Sequence, residues 1–281
     1  MKSKLLSGFK ILITMLAFYI LHLKFQDSME PDISLPMTTT VDTGLLFLVF
    51  LLMPVNWYLE AVQWQILTSS HQKLSLQESF EVVLKGVLFN WIIPFSGGDA
   101  IARLKGGRSF RKTGKALFIN RITSSLVTVA FFALGGSYYL LVHYYGSTPG
   151  MFWPVSFLLV CVSSLYFVFR NQKMVLSFSL CRYLVFSLQL FILLVIFLPT
   201  VQVLVLLSGI TWIFFFRTFV PSLFGALGIR ELSAVMFFET FVADISVVVL
   251  ATILLWVINI VIPSLLGGLV FSLGNKKVAS T

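Results

Sequence analysis

Residues 183–198 read YLVFSLQLFILLVIFL, a run without a single charged residue. The apolar side chains follow one another without the apolar–polar alternation of a half-buried β-strand, and this favours a helix. A helix needs about 20 such residues to cross the hydrocarbon layer of a membrane. We therefore predict a membrane-spanning helix at this position.

Six further apolar segments have a comparable length and predict additional membrane helices. They cover residues 5–23, 44–62, 116–142, 151–169, 201–219 and 244–263. Another segment, residues 76–93, contains Glu78, Glu81 and Lys85 and is too polar for lipid contact. We expect this segment to pack inside the protein or to enter the membrane and return. If residues 201–219 also enter and return, six segments cross the membrane completely.

The composition of the chain excludes a water-soluble fold. Hydrophobic residues make up 58% of the 281 residues and charged residues only 11%, whereas a soluble domain carries about 25% charged residues. A soluble enzyme, a disordered chain and a secreted disulfide scaffold are excluded. We predict an all-α polytopic membrane protein that forms a single integral membrane domain over residues 1–281. It should have about six full spans and two re-entrant hairpins related as an inverted repeat.

The charges of the loops predict the orientation of the chain. Residues 26–42 contain acidic residues and no Lys or Arg, whereas residues 103–115 contain Lys and Arg and no acidic residue. Because cytoplasmic loops collect Lys and Arg, we place residues 103–115 and both termini in the cytoplasm and residues 26–42 outside. The membrane is then the cytoplasmic (inner) membrane. The same rule explains the net charge of +9, so no nucleic-acid partner is predicted.

One local pattern occurs twice and marks two sites that we name the elbows. The first elbow reads PFSGGDAIAR from Pro94 to Arg103, and the second reads PSLFGALGIR from Pro221 to Arg230. In each elbow, Pro ends one helix and Gly permits a tight reversal of the chain. The next helix starts with free N–H groups, and an Arg follows them. This combination favours binding of a phosphate or a carboxylate. The elbow residues are Pro94, Gly97, Gly98 and Asp99 in the first copy and Pro221, Gly225 and Gly228 in the second. The alternative is a pair of ordinary Pro-Gly turns at helix ends.

Charged side chains in or beside apolar segments indicate a polar cavity, because each costs roughly 2.5–3.5 kcal/mol in lipid. The candidate lipid-headgroup residues are Arg103, Arg121, Arg217, Arg230 and Glu231. We expect Arg103 and Arg230 to converge on one cavity near the membrane midplane. The alternative is that Arg103 anchors the cytoplasmic face, and that Arg230 pairs with Glu239 or Asp244. The sequence contains no metal-binding, ATP-binding or catalytic motif, so no metal, no cofactor and no enzymatic activity is predicted.

Several of these stretches resemble a known family when they are taken together. They are residues 56–67, 90–103, 120–121, 221–231 and 256–267. The resemblance is to the membrane region of the lysylphosphatidylglycerol synthase family, also called flippase-like, and it covers about residues 5–270. It implies a helical domain that moves polar lipids between leaflets. We expect a stand-alone member without the aminoacyl-transferase domain. The first elbow departs from the family's usual form at Ser96 and Asp99.

The elbows and the resemblance together predict translocation of a polar, anionic lipid or lipid-linked intermediate. Membrane lipids are the expected partners, with phospholipids and polyprenyl-phosphate-linked lipids as candidate substrates. One alternative is a non-transporting scaffold or regulator of a membrane glycosyltransferase, which would then be the partner. Another is an integral membrane lipid-modifying enzyme. The sequence does not specify the oligomeric state.

Overall fold

The structure is a computed structural model that describes residues 2–28, 42–92, 97–145, 166, 170–220 and 226–279. The regular secondary structure of these residues is entirely helical, which confirms the predicted all-α class. The helices are α1 (Lys2–Ser28), α2 (Thr43–Thr68), α3 (Leu76–Ile92), α4 (Gly97–Lys105), α5 (Phe110–Tyr145), α6 (Lys173–Phe197), α7 (Val203–Phe219), α8 (Ile229–Phe238), α9 (Ser246–Trp256) and α10 (Ile262–Ala279). A 3₁₀ turn at Arg170–Gln172 precedes α6, and a π-helical turn at Val257–Val261 joins α9 to α10.

Four helical stretches in the described ranges are long and apolar enough to cross a membrane. They are Thr43–Thr68, Phe110–Gly136, Lys173–Phe197 and Ser246–Leu269. Two apolar stretches, Ile11–Lys24 and Val203–Phe219, are shorter. The predicted span at residues 151–169 lies outside the described residues apart from Tyr166. The finding is therefore an all-helical protein with four candidate spans, and the total of six crossings stays a prediction.

Helix α6 begins at Lys173, well before the predicted segment 183–198. Its first turns carry polar side chains that have partners inside the protein. Ser179 Oγ accepts a hydrogen bond from Gln63 Nε2 at 2.6 Å and donates to Thr123 Oγ1 at 3.1 Å. A hydropathy scale scores these residues as unfavourable inside a membrane helix. When they are hydrogen-bonded to other parts of the protein, however, they can be buried at little cost. The apolar pattern therefore predicts too late a start for this helix.

The predicted segment 244–263 continues beyond Pro263 into α10. Pro263 has no N–H to donate to the carbonyl of Asn259, and its ring would clash with that carbonyl in a straight α-helix. The π-helical turn at Val257–Val261 widens the backbone just before the proline, which relieves this clash. Pro263 thus changes the register of the helix without ending it.

Helix α3 begins with a reciprocal cap formed by Ser75 and Glu78. The Glu78 N–H donates to Ser75 Oγ at 3.2 Å, and the Glu78 carboxylate accepts from the Ser75 N–H at 2.7 Å. This arrangement is a capping box. The Ser75 N–H, followed by the Ser75 hydroxyl, lowers the pKa of Glu78 below its usual value because both favour the charged carboxylate.

We expect Glu78→Gln to destabilise the protein in a pH-dependent manner. The folded pKa of Glu78 lies below its unfolded value, so the charged cap stabilises the native state above the unfolded pKa. That contribution is lost as the pH falls through the folded pKa. The melting temperature of E78Q in detergent should lie below that of the wild type near pH 7 and converge with it as the pH falls below the folded pKa. Gln77→Ala, on the same exposed turn, is the control, and a pH-independent gap for E78Q would contradict the expectation.

Helices α3 and α4, on either side of the first elbow, form a helical hairpin. An added Cβ at Gly98 would lie 2.1 Å from the carbonyl carbon of Phe89, so the two backbones touch at this point. Toward the other end of the pair, an added Cβ at Gly106 would lie 3.4 Å from the Val82 side chain. The end of α4 therefore lies beside the first half of α3, and the two helices run antiparallel.

Helices α7 and α8, on either side of the second elbow, also pack against each other. An added Cβ at Gly209 would lie 2.4 Å from the Phe238 ring, so the first half of α7 lies beside the last turn of α8. Gly228, directly before α8, has a φ of +88°, a conformation that favours glycine. Three elbow residues lie outside the described ranges: Pro94, Pro221 and Gly225.

Two apolar clusters enclose a polar layer. The larger cluster lies mainly on α6 to α9 and includes Leu190, Ile213 and Phe238. The smaller cluster packs α2 and α3 against the starts of α5 and α6 around Trp64 and Val83. The buried polar residues that lie between the two clusters along α2 and α5 include Asn56, Glu60, Asn120 and Thr123. This layer contains the candidate site.

Candidate functional site

Glu60, on α2, is the centre of a buried ion-pair network. Its Oε1 accepts hydrogen bonds from Arg103 Nη2 at 2.5 Å and from Asn120 Nδ2 at 3.1 Å. Its second carboxylate oxygen, Oε2, pairs with Arg182 on α6. The Glu60 side chain is only 5% exposed. One carboxylate therefore connects α2 to α4, α5 and α6.

Asp99, in the first turn of α4, supplies the second carboxylate of the network. Its Oδ1 accepts from Arg103 Nε at 2.7 Å, and its Oδ2 accepts from Arg121 Nη2 at 2.5 Å. The Asp99 N–H donates to Asn90 Oδ1 at 2.9 Å. This last bond satisfies one of the free N–H groups at the start of α4. Asp99 therefore ties the hairpin together and links it to α5.

Arg103 lies between the two carboxylates and is almost fully buried. Its guanidinium carbon also lies 4.6 Å from the centre of the Trp64 ring. An uncompensated charge at such depth would cost several kcal/mol, so the two carboxylates keep Arg103 in place. The network joins three arginines to two carboxylates and so keeps one net positive charge. Its most exposed arginine is Arg121.

A cavity of about 140 Å³ opens beside the network, between α2, α5, α6 and α7. The lining residues with a hydroxyl or amide group are Asn56, Ser124, Thr128, Ser179, Tyr183 and Thr218. Two cationic residues, Arg182 and Arg217, line it as well. Among the described lining residues there is no carboxylate. The cavity is therefore polar and positively charged, although the helices around it are largely apolar.

Arg217, in the last turn of α7, has no hydrogen-bond or ion-pair partner among the residues that the structure describes. Its guanidinium carbon lies 4.5 Å from the centre of the Phe186 ring and 5.9 Å from that of Phe214. Cation–π contacts of this kind stabilise a cation without neutralising it. Arg182, Arg230 and the carboxylate of Glu231 lie within electrostatic range of Arg217. Arg217 therefore adds a positive charge that no carboxylate compensates by direct contact.

Two cavity-lining residues also carry buried N–H donors that lack a partner within the described ranges. These donors are Trp57 Nε1 and Arg182 Nε. A buried donor without an acceptor costs about 1–3 kcal/mol. A ligand with several acceptor oxygens would satisfy such donors and the two guanidinium groups together.

Arg230 and Glu231 form a separate buried pair at the start of α8. Arg230 donates to Glu231 Oε1 from Nη2 at 2.6 Å and from Nε at 3.1 Å. The other carboxylate oxygen of Glu231 accepts from the Gly228 N–H at 2.6 Å. Both side chains are at most 3% exposed. Glu231 therefore neutralises Arg230 and also caps the helix.

The candidate headgroup residues occupy three different places. Arg103 and Arg121 belong to the network, Arg217 lines the cavity, and Arg230 pairs with Glu231. Neither Arg103 nor Arg230 is among the described residues that line the cavity. The partners considered for Arg230 from the sequence bond elsewhere, because Glu239 pairs with Lys24 and Asp244 accepts from Ser246.

Besides Glu60, Arg182 is a residue of this site that the predicted site residues did not include. It belongs to both the network and the cavity. The signal was present in the sequence, because Arg182 is the only charged residue between Met174 and Phe197. Starting the predicted span at Tyr183 placed Arg182 in a loop and removed it from the set of charges inside apolar segments.

The arrangement is suited to binding an anion. Two guanidinium groups, unpaired N–H donors and hydroxyl groups surround a space without carboxylates in its described lining. Nothing in the described ranges brings together three or more His, Cys, Asp or Glu residues that could hold a metal ion.

Fold and site define an all-helical protein with four candidate membrane spans, a buried arginine–carboxylate network and a cation-lined cavity. Comparisons with protein families, with curated proteins and with solved structures find no match to this chain. A proposal for the function of this protein therefore rests on the chemistry of the site itself.

Proposed function

We propose that the protein translocates an anionic lipid or lipid-linked intermediate across a membrane. The observation that carries the proposal is the cavity lined by Arg182 and Arg217, in which Arg217 has no partner among the described residues. An arginine in an apolar helix costs roughly 2.5–3.5 kcal/mol on insertion scales and marks a functional site. A lipid phosphate would compensate Arg217 through charge-assisted hydrogen bonds.

The outer surface of the protein supports a location in the membrane. Large apolar side chains that are at least 60% exposed include Leu12, Phe47, Phe118, Leu265 and Leu269. Such a surface is favourable against lipid, and in water it would form an aggregation-prone patch. Together with the four candidate spans, this supports a multi-pass membrane protein, and we propose the cytoplasmic membrane as its location. On the loop charges, residues 103–115 and both termini would lie in the cytoplasm.

We interpret the pairs α3–α4 and α7–α8 as two re-entrant hairpins that enter from opposite faces as an inverted repeat. With about six full spans around them, their ends would meet near the membrane midplane. The first hairpin contributes Asp99 and Arg103 to the network, and the second contributes Arg217 to the cavity. On the sequence resemblance, we further propose a stand-alone member of the lysylphosphatidylglycerol synthase membrane-domain family.

Translocation in this scheme needs a polar route for the headgroup while the acyl tails stay in the lipid. The phosphate would leave one aqueous face, bind Arg182 and Arg217, and leave toward the other face. The tails would follow the apolar outside of the helices. The scheme uses no ATP and no cofactor, so the lipid moves down its own gradient or is coupled to an ion gradient.

The test uses purified protein in vesicles that contain an anionic phospholipid with a fluorescent acyl chain. A membrane-impermeant reductant bleaches only the outer leaflet, so complete bleaching reports translocation. We expect complete bleaching with the wild type and a rate at least about tenfold lower with Arg217→Gln, which corresponds to about 1.4 kcal/mol. Arg111→Gln removes an exposed charge from the first turn of α5 and should leave the rate unchanged.

Two outcomes would count against this proposal. Equal rates for R217Q, R111Q and the wild type would remove Arg217 from the lipid route. If the wild type moves no lipid, with or without an imposed pH gradient, translocation itself is wrong. The alternative of a non-transporting scaffold or regulator of a membrane glycosyltransferase would then be favoured.

A further inference from the structure

We infer that the cavity selects lipids whose phosphodiester carries a small uncharged polyol, and that it disfavours headgroups with an ammonium group. This inference rests on the proposed function and names the substrate class of the same site. Its basis is the set of side chains that surround the cavity.

The charges around the cavity favour a phosphate and oppose an ammonium group. Arg182 and Arg217 line the cavity, and no described lining residue carries a negative charge. The nearest carboxylate of the network, on Glu60, is already shared by Arg103, Arg182 and Asn120. An ammonium group attached to the phosphate would therefore meet like charges without a counter-ion.

The aromatic rings nearest Arg217 offer no substitute for a carboxylate. Aromatic rings are the usual alternative partners of a quaternary or primary ammonium group. Here the rings of Phe186 and Phe214 already contact the guanidinium group of Arg217. The protein's own cation thus occupies two of the four aromatic side chains of the described lining and leaves only Trp57 and Tyr183 to a cationic headgroup.

The hydroxyl groups of the cavity fit a polyol. Thr128 Oγ1 donates its hydrogen to the Ser124 carbonyl at 3.0 Å, and Thr218 Oγ1 donates to the Phe214 carbonyl at 2.7 Å. Because these hydrogens are committed to the backbone, both oxygens keep lone pairs that accept hydrogen bonds. A headgroup hydroxyl can donate to them, while the phosphate oxygens accept from the guanidinium groups.

The size of the cavity limits the headgroup. Its volume is about 140 Å³, similar to an engineered cavity of about 150 Å³ that holds one benzene molecule. A space of this size favours a phosphate with a short substituent over one with a sugar chain. A glycerol-sized polyol on the phosphodiester therefore fits better than an oligosaccharide.

The experiment compares three lipids with identical fluorescent acyl chains in the vesicle assay. They are phosphatidylglycerol, phosphatidylethanolamine and lysyl-phosphatidylglycerol. With the wild type we expect phosphatidylglycerol to move at least about tenfold faster than either amine-bearing lipid, because like charges oppose the latter. Equal rates, or faster movement of an amine-bearing lipid, would overturn the selectivity and leave the proposed function intact. If no lipid moves, the proposed function fails.

A charge introduced into the cavity provides a second test. Ser124→Asp adds a carboxylate to the lining and should lower the preference for phosphatidylglycerol at least about tenfold by pairing with the ammonium group. Ser124→Asn, which is similar in size and uncharged, should keep the wild-type preference. An unchanged preference in S124D would contradict the inference.

A binding measurement keeps the inference testable if S124D does not fold. The wild type in detergent is heated with the soluble headgroups glycerophosphoglycerol or glycerophosphoethanolamine. Only the former should raise the melting temperature, since ligands that bind the native state stabilise it. An equal rise with both headgroups would overturn the inference.

Discussion

Replacing Glu60 by Gln is expected to lower the free energy of unfolding by about 3–5 kcal/mol, because breaking a buried ion pair leaves an uncompensated charge. The carboxylate of Glu60 accepts from Arg103 and Asn120 and pairs with Arg182. Gln has nearly the same shape but no charge, and its amide N–H₂ would face guanidinium donors. The loss would be a large part of the 5–15 kcal/mol that is typical of a whole protein. Denaturant titration in detergent micelles measures it.

The matched control is Glu81→Gln. Glu81 is partly exposed and faces Lys85 one turn along α3 at 3.4 Å, so its loss should cost less than about 0.5 kcal/mol. A double-mutant cycle with Arg182→Gln then isolates the pair, and the double variant should lose less stability than the sum of both single variants. A loss below about 1 kcal/mol in E60Q would show that the network does not hold the helices together.

Substituting Ala for Gly98 is expected to cost about 3 kcal/mol, at the upper end of the usual range for overpacking. The added Cβ would lie 2.1 Å from the carbonyl carbon of Phe89 and 2.3 Å from the N atom of Asn90. Backbone atoms of a helix cannot swing aside as a side chain does, so α4 must move away from α3. That movement would also pull Asp99 away from Asn90 Oδ1, to which its N–H donates. The melting temperature in detergent reports the effect.

Gly114→Ala is the control for this variant. Gly114 lies in helix α5, and the nearest atom to an added Cβ is Leu104 Cδ2 at 3.9 Å, an ordinary contact. Ala in that helical position should be neutral or stabilise the protein by up to about 1 kcal/mol, since Gly is the weaker helix former. Equal melting temperatures for G98A and the wild type would mean that α4 is free to separate from α3.

Much of the fold could be predicted because membrane-like helices are specified by long apolar runs. Residues 44–62 and 116–142 both fall inside described helices, and the helix ends near Pro94 and Pro221 follow from proline chemistry. The boundaries were harder to predict, because polar residues with internal partners do not interrupt a helix. Ser179 in α6 shows this, and Pro263 shows that a π-helical turn can accommodate a proline.

The site was predicted less completely, because pairing depends on contacts between distant parts of the chain. Arg103 and Arg121 were recognisable as costly charges, but their shared partner Asp99 was interpreted as part of a turn. The packing of the helices determines the carboxylate that pairs with each arginine. Such pairs join distant parts of the chain, so local sequence patterns do not reveal them. Arg182 could have been found from its isolation in an apolar run. That Arg217 has no hydrogen-bond or ion-pair partner among the described residues could not be predicted.

In the membrane placement proposed above, the network also imposes an order on biogenesis. Glu60 emerges from the ribosome early, and its partner Arg182 follows roughly 120 residues later, which takes about 6–24 s at 5–20 residues per second. Arg103 offers the first counter-charge after 43 residues, and before that point the carboxylate of α2 resists transfer into hydrocarbon. Helix α2 must therefore stay near the insertion machinery or other polar segments until α4 arrives. Helix α6 then adds Arg182, which gives the network its excess positive charge after the early helices have balanced their own.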